Sequence, residues 1–250
     1  MVALEEHKDA LVLVGAQAIY LWTGDADLTV AEYTTDADFT VAPGDLADAP
    51  LLSDLLSAAG FTPREHPGGW LSPDEIYIDV MVPEQLAGPG TRGARLGPHG
   101  KRAARRAKGL EGALVDRELR TIEALDPEDD RTVQMWVAGP GALLVAKVHK
   151  IAERVGNQDR VRDKDALDVL RLLRGTGLED LAARMRSLQG DAIAQHVTAE
   201  AIDALPALFG ATDAEGVAMA VRAVGTAEPS ETIAASLVAL VDDLVTELAS

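Results

Sequence analysis

The chain has 250 residues, 47% of them hydrophobic, and a formal net charge of −18 at pH 7. This length is sufficient for a substantial core in one large domain or two modest ones. The sequence contains no cysteine, which excludes disulfides and thiolate metal sites and is typical of a reducing cytoplasm. The N-terminal segment is acidic, and no run approaches the roughly 20 apolar residues of a membrane span. We therefore expect a cytoplasmic protein without membrane association.

The acidic character is not uniform along the chain. Between Arg92 and Arg120, nine basic residues are accompanied by only three acidic ones. The basic residues are Arg92, Arg95, Lys101, Arg102, Arg105, Arg106, Lys108, Arg117 and Arg120. The overall negative charge argues against a general nucleic-acid coat protein, but this segment is compatible with binding of RNA, a triphosphate or an acidic partner. The alternative is a solvated surface with no partner.

The first predicted elements are short and apolar. Residues 3–10 indicate a helical lead, and residues 11–14 indicate a buried strand. Residues 16–22 predict a helix whose first turn begins at Gly15. The N-terminus of this helix offers free N–H groups and a positive dipole end, which together favour an anion such as phosphate.

Two carboxylates follow on the next predicted strand. After an extended loop at residues 23–35, the sequence TTDADFTV predicts a strand that ends at Val41. Because side chains alternate between the faces of a strand, Asp36 and Asp38 emerge on one face, roughly 6–7 Å apart. Two such carboxylates can hold a divalent cation.

The chain then continues with a leucine-striped helix that ends at Gly60 and a strand at residues 75–82. Asp79 interrupts this otherwise apolar strand, and a charge there is costly unless it is paired or bound to a metal. A Gly- and Pro-rich loop occupies residues 88–100.

Residues 110–115 and 131–137 indicate two further strands around a polar turn at residues 126–130. Gly139, Pro140 and Gly141 mark a boundary, so we expect an α/β domain over residues 1–138 and a helical domain over residues 139–250.

Beyond that boundary the apolar period changes to 3.6 residues. One predicted helix has an apolar stripe from Leu144 to Val155, with Lys147, Lys150 and Arg154 on an adjoining basic face. Further amphipathic helices are predicted at residues 163–173, 178–188, 199–208, 214–224 and 230–248. The fold class is therefore α+β, with a mixed sheet flanked by helices followed by a C-terminal helical bundle.

A family resemblance rests on four motifs in order: Gly15-Ala16, Asp36-x-Asp38, Asp79, and the pair of Lys147 with Lys164-Asp165-x-x-Asp168. They resemble the nucleotidyltransferase fold of the DNA polymerase β superfamily, whose signature is Gly-Gly/Ser followed by Asp-x-Asp. The helical motifs are similar to those of the AbiEii and MenT nucleotidyltransferase toxins of bacterial toxin–antitoxin systems. The match covers about residues 10–175. Ala16 departs from the signature because it lacks the hydroxyl of a serine.

The resemblance implies a metal-dependent transfer of a nucleoside monophosphate from a nucleoside triphosphate to an acceptor, with release of pyrophosphate. Asp36 and Asp38 would hold Mg²⁺ or Mn²⁺, and Asp79 would share a second ion that activates the acceptor hydroxyl.

The same resemblance implies roles for the phosphate-binding residues. Gly15 and Ala16 would bind the outer phosphates through backbone N–H groups, and Lys147 would neutralise the leaving pyrophosphate. Asp165 would orient Lys147 or contact the nucleotide. Each assignment has a structural alternative: edge-strand carboxylates for the aspartates and an ordinary exposed lysine for Lys147.

The basic segment favours RNA, such as a tRNA end, as the acceptor, and the family implies a cognate antitoxin as a possible partner. A small-molecule or protein acceptor is the first alternative, because the net charge of −18 also suits a polycationic acceptor. A non-catalytic nucleotide-binding or RNA-binding relative is the second, and Ala16 favours it. Trp70, in a Pro-Gly-Gly loop, is interpreted as a packing residue, with base stacking as its alternative.

Overall fold

The computed structural model of the protein describes residues 2–24, 34–124, 128–155 and 163–250. These residues form one eight-stranded mixed sheet and a set of helices. The strands are β1 (Leu11–Val14), β2 (Asp36–Val41), β3 (Thr62–Pro63), β4 (Gly69–Leu71), β5 (Tyr77–Pro83), β6 (Arg105–Ala107), β7 (Arg117–Glu123) and β8 (Thr132–Ala138). Their order is β3-β4-β5-β2-β1-β8-β7, and β6 pairs with β5 outside this path.

Strand β1 lies at the centre of the sheet. It runs antiparallel to β2 and parallel to β8, and all four of its residues are buried. A short continuous apolar run is what a strand covered on both faces requires. Next to it, β2 runs parallel to β5, and this pair carries the aspartates.

The helices are α1 (Gly15–Thr23), α2 (Leu52–Ala58), α3 (Pro140–Ala152), α4 (Asp163–Gly175), α5 (Leu178–Gly190), α6 (Gln195–Phe209), α7 (Glu215–Val224) and α8 (Ser230–Ala249). Helix α3 packs against α4, α5 and α6, and α1 packs against α3 and α4. A single cluster of buried apolar side chains runs from the sheet into these helices, from Leu4 to Leu244. Among the described residues no helix is long and apolar enough to cross a membrane.

The α+β class with a mixed sheet is confirmed, and the predicted helices after residue 139 all form. The N-terminal lead is a 3₁₀ helix, Val2–Ala10, and α2 is shorter than its leucine stripe indicated. The division into domains at residues 138 and 139 stays a prediction: β8 ends at Ala138 and α3 begins at Pro140.

One predicted strand is wrong. Residues 110–115 form a 3₁₀ helix, Glu111–Leu114, because a short buried apolar run does not distinguish strand from helix. The strand that pairs with β8 is instead β7, which is mostly polar and lies at the edge of the sheet. The predicted loop at residues 23–35 and the turn at 126–130 lie largely or partly outside the described residues.

Candidate active site

The sheet brings the three predicted carboxylates to one face. Asp38 is paired in register with Val14 of β1 and with Asp79 of β5. Side chains of directly opposed residues point to the same side of a sheet, as do residues two apart on one strand. Asp36, Asp38 and Asp79 therefore lie on a common face at the end of β1.

Gly15 lies directly under the Asp38 carboxylate. Its φ is +74°, a conformation that non-glycine residues adopt only at a cost. A Cβ atom at this position would lie 2.4 Å from Asp38 Oδ2, so a side chain cannot be accommodated without displacing the carboxylate. Ala16 follows as a buried residue of α1. The strand–turn–helix and the Asp-x-Asp strand thus form one packed unit.

The Asp38 carboxylate is poorly neutralised. Burial raises its pKa above the ordinary value, Lys150 opposes this rise, and the nearby Asp36 and Asp79 carboxylates add to it. A raised pKa means that the charged form is held less favourably here than in water. A cation bound at this face would relieve that penalty.

Asp79, by contrast, already has partners within the protein, one of them the Arg105 guanidinium. Its Oδ2 accepts hydrogen bonds from Arg105 Nε at 3.3 Å and Nη2 at 3.2 Å. Its Oδ1 lies 3.1 Å from His66 Nε2. Asp36 accepts a hydrogen bond from the Thr34 hydroxyl. Within the described ranges, no group of three or more His, Asp or Glu side chains is arranged to hold a metal ion.

The chemistry of the donor set nevertheless fits a hard divalent cation. Carboxylate oxygens are the ligands that Mg²⁺ and Mn²⁺ prefer. The pKa of Asp38 is raised chiefly by burial and also by Asp36 and Asp79, so a bound cation would stabilise its ionised form. Asp36 and Asp38 would hold such an ion, whereas Asp79 could join them only if Arg105 released it.

The wall opposite the carboxylates is helix α3, and Asp116 fixes its start. Gly139 is the only residue between β8 and α3, and a Cβ there would lie 2.0 Å from Asp116 Oδ1. Asp116 Oδ2 accepts a hydrogen bond from Ala142 N at 3.0 Å, and Arg184 Nη1 donates to Oδ1 at 2.8 Å. A carboxylate at a helix N-terminus satisfies free N–H groups and complements the dipole. Helix α3 is therefore held at a defined position relative to the sheet.

Two cations of α3, Lys147 and Lys150, and Arg154 just beyond its end share Asp165 and Asp168 of α4, and we call these five residues the α3–α4 group. Lys147 Nζ donates to Asp165 Oδ1 at 2.8 Å and to Asp168 Oδ2 at 2.6 Å. Asp165 also accepts Lys150 Nζ at 3.1 Å and Arg154 Nη1 at 2.8 Å. Three positive charges against two negative ones leave this group with a formal excess of one positive charge.

The α3–α4 group shifts the pKa values of its members. Burial alone would lower the pKa of Lys147, but the Asp168 and Asp165 carboxylates hold it above the ordinary value. Burial alone would raise the pKa of Asp165, but Lys147 and Lys150 lower it to about 2. The pKa of Lys150 is lowered by burial and by the Lys147 charge. Lys147 and Asp165 are therefore a buried ion pair, and Lys150 is the half-exposed cation at the cleft.

A cleft of about 370 Å³ opens beside Gly15 and Asp38. Its charged lining contains six basic residues, Arg105, Arg106, Lys108, Lys147, Lys150 and Arg154, and three acidic ones, Asp38, Glu84 and Glu153. Such a concave, mostly cationic surface next to a helix N-terminus suits a phosphorylated ligand.

Only the middle of the basic segment reaches this cleft. Arg105, Arg106 and Lys108 line it, and Lys108 Nζ lies 2.9 Å from Glu200. Arg117 and Arg120 instead stack on Trp136 and Trp22, with 4.7 and 4.2 Å between guanidinium carbon and ring centroid.

The sequence placed Lys150 and Arg154 on one basic face with Lys147, but it assigned a phosphate role to Lys147 alone. Their spacing of three and seven residues from Lys147 was the signal for a shared site, because residues three, four and seven apart lie on one side of a helix. No sequence signal links His66 to Asp79, because that contact depends on the pairing of β4 with β5. Trp70 is buried in β4, which agrees with packing and leaves no exposed ring for a base.

Comparison with known proteins adds no relative: no family model, no curated protein and no solved structure matches the chain. The candidate function therefore depends on the residues of the site alone.

Proposed function

We propose that the protein is a metal-dependent nucleotidyltransferase with a fold of the DNA polymerase β type, which transfers a nucleoside monophosphate from a nucleoside triphosphate to an acceptor. The observation that supports this most directly is the packing of the Asp38 carboxylate on the Gly15 turn beside a cationic cleft. Metal-binding and phosphate-binding groups must adjoin in such an enzyme, because the cation and the phosphates neutralise each other.

The residues divide into two functional groups. Asp36 and Asp38, joined by Asp79, would hold Mg²⁺ or Mn²⁺, which would offset the charge of the triphosphate and lower the pKa of an acceptor hydroxyl. The backbone N–H groups of Gly15 and Ala16 would bind the outer phosphates at the start of α1.

Cations of α3 and of the turn that follows it would complete the triphosphate site. Lys150 and Arg154 lie at the cleft and would offset the charge that develops on the leaving pyrophosphate. Lys147 also lines the cleft, but it is buried and paired with Asp165 and Asp168. Asp165 contacts all three cations and so would position them. This distribution modifies the role that the resemblance gave to Lys147 alone.

We favour RNA, such as a tRNA end, as the acceptor, because the basic residues Arg105, Arg106 and Lys108 continue from the cleft into the basic segment. An RNA acceptor is also what a toxin of a toxin–antitoxin system would modify, with the antitoxin as an additional partner. A small-molecule or protein acceptor is the alternative within the same chemistry.

A non-catalytic nucleotide-binding relative is a second candidate. It is favoured by the engagement of both Asp79 carboxylate oxygens by Arg105 and His66. In that case Asp79 would serve as a structural anion, and the cleft would bind a triphosphate without turnover.

The test is to incubate the purified protein with each α-labelled nucleoside triphosphate, Mg²⁺ and total bacterial RNA. Label in RNA with the wild-type protein, and none with Asp38→Ala, is the expected result, and it identifies the nucleotide and the acceptor pool. The matched control is Asp203→Ala, because Asp203 is an exposed aspartate of α6 away from the cleft.

Absence of label separates the alternatives. If Mg²⁺-dependent triphosphate binding persists without label in RNA, the acceptor is a small molecule or protein, or the protein only binds nucleotide. Transfer of label to a protein or small-molecule fraction would identify another acceptor. Transfer to RNA by Arg105→Gln alone would show that the contact of Arg105 with Asp79 prevents turnover in the wild type. Loss of triphosphate binding altogether would overturn the proposal.

A further inference from the structure

Four exposed cations of the basic segment lack a carboxylate partner. In the described part of the chain, Arg92, Arg95, Lys101 and Arg102 form no ion pair, whereas most other described lysines and arginines do. Residues 85–110 contain no Asp or Glu, although the chain has 41 acidic residues. Arg102 Nη2 donates hydrogen bonds to Arg64 O at 3.2 Å and to Glu65 O at 3.0 Å, which fix its position without neutralising its charge. The four positive charges are therefore not neutralised within the described part of the protein.

The four cations lie on one irregular hairpin, residues 92–106, which we call the basic hairpin. Its two arms are joined by backbone hydrogen bonds from Ala94 N to Ala104 O at 2.9 Å, from Leu96 N to Gly100 O at 3.2 Å, and from Arg106 N to Arg92 O at 2.9 Å. The first arm carries Arg92 and Arg95, and the second carries Lys101 and Arg102. The cations are thus brought together by pairing rather than spread along the chain.

The basic hairpin is fixed at both ends. At its tip, His99 lies 2.8 Å from Ala47 O through Nε2, and its Nδ1 accepts a hydrogen bond from Leu52 N at 3.1 Å. At its base, Arg106 lines the cleft beside Thr91. The cationic surface is therefore preorganised and continuous with the candidate active site.

The exposed chemistry of the basic hairpin indicates a phosphate backbone as the partner. Its alanine and leucine side chains, Ala94, Leu96, Ala103 and Ala104, are all buried, and Pro98 is its one exposed apolar residue. Residues 79–135 contain no Phe, Trp or Tyr, so the hairpin itself offers neither the large apolar and aromatic anchors of a protein interface nor a ring on which a base could stack. Lysine and arginine side chains that contact only phosphates bind a nucleic acid without regard to its sequence.

We propose that the basic hairpin binds the sugar–phosphate backbone of an RNA and delivers that RNA to the cleft at Asp38. The delivery step rests on the proposed function, because it makes the bound RNA the acceptor. Binding itself does not require the transfer reaction, so the two can be tested separately.

The test measures binding of labelled bulk bacterial tRNA by fluorescence anisotropy between about 50 and 200 mM salt. The hairpin variant replaces Arg92, Arg95, Lys101 and Arg102 with glutamine. The control variant has Lys8→Gln, Arg131→Gln, Arg186→Gln and Arg222→Gln, which removes four exposed cations that have carboxylate partners. Both variants are four units more negative than the wild type at −18, so overall charge is matched, and thermal melting checks that each is folded.

We expect the hairpin variant to bind tRNA about a hundredfold more weakly at 100 mM salt, with a log–log salt slope smaller by about three, because each phosphate contact contributes roughly 0.7–0.9 to that slope. The control variant should stay within about threefold of the wild type. Equal binding by the hairpin and control variants overturns the proposal. Absence of tRNA binding by the wild type at the lowest salt also overturns it. If the wild type binds poly-L-glutamate instead, the partner of this surface is an acidic protein.

Failure of this inference and failure of the proposed function give different results. If Asp38→Ala binds tRNA normally and no variant transfers label, RNA binding stands and the transferase proposal falls. If the hairpin variant labels subsaturating RNA as fast as the wild type, the transferase stands and the basic hairpin is not its RNA-binding surface.

Discussion

Two groups of aspartates face each other across the candidate active site, and their electrostatic situations are opposite. On the sheet, the Asp38 carboxylate has its pKa raised by burial and by neighbouring carboxylates. On α4, the Asp165 carboxylate is also buried, yet Lys147 and Lys150 lower its pKa to about 2. The sheet group has negative charge in excess, and the α3–α4 group has a small positive excess.

The difference indicates which group is structural and which is open to a ligand. Lys147 pairs with both Asp165 and Asp168 within the protein, although Asp168 Oδ1 has no hydrogen-bond partner among the described residues. Removing one member of these ion pairs leaves buried charge without a partner. The Asp38 group has no such internal balance and gains from an external cation. We therefore expect substitutions in the α3–α4 group to cost more stability than substitution of Asp38.

The largest effect is expected for Lys147→Met. This change leaves Asp165 and Asp168 buried without their main counter-ion, which should lower the free energy of unfolding by about 3–5 kcal/mol. Urea denaturation at neutral pH measures it. The matched control is Lys150→Gln on the same helix, where the half-exposed ion pair should contribute less than about 1 kcal/mol. Similar losses of unfolding free energy in the two variants would contradict the role of Lys147 as the main counter-ion of Asp165 and Asp168.

Gly15→Ala should be the next most disruptive change. It combines a φ of +74° with a Cβ 2.4 Å from Asp38 Oδ2, so we expect a loss of about 2–3 kcal/mol and loss of triphosphate binding. Two controls separate the causes. Gly225→Ala has a φ of +62° with open space around it, and Gly44→Ala has open space and no positive φ. A Gly15 effect no larger than that of Gly225 would exclude a contribution from Asp38.

The ion pairs of Asp165 should make the free energy of unfolding depend on pH in the acid range. Its folded-state pKa of about 2 lies below the ordinary value, so the native state holds the ionised form more tightly than the unfolded chain does. The contribution is complete above about pH 4 and is lost as the pH falls toward 2. Unfolding free energies from pH 6 to pH 2 should fall less steeply for Asp165→Asn than for the wild type, and parallel curves would refute the assignment.

The smallest effect on stability, with the opposite sign, is expected for Asp38→Asn. A raised pKa means that the native state binds the proton more tightly, so ionisation of Asp38 costs stability above its ordinary pKa. The amide removes that cost, and thermal melting at pH 7 should show a modest stabilisation that shrinks in acid. The same variant should lose nucleotidyl transfer. Higher stability together with lost transfer would show that the Asp38 carboxylate destabilises the fold but is needed for the reaction. Destabilisation at pH 7 would instead make Asp38 a structural residue.

The local elements of the site could be predicted from the sequence, but their partners could not. The order of β1, Gly15, α1 and β2 follows from short apolar runs and a turn, and it forms as expected. The in-register pairing of Asp38 with Asp79 depends on β5 joining β2 as a parallel neighbour. No periodicity within either strand encodes that pairing.

Lys147 shows the same limit for a side chain. Its helical spacing placed it on a basic face, which a single helix presents to solvent by default. Helix α4 covers that face and converts Lys147 into a buried counter-ion. Similarly, the composition of residues 92–106 revealed the excess of cations, while the hairpin that gathers them depends on backbone pairing.

The junction of β8 with α3 has a consequence for the evolution of this chain. The space for a Cβ at Gly139 is filled by the Asp116 carboxylate, and that carboxylate also caps α3 and binds Arg184. A side chain at position 139 would therefore have to displace the carboxylate that caps α3. Among diverged relatives we expect positions 116 and 139 to be inherited as a pair, while the surface loops tolerate insertions and exchange freely.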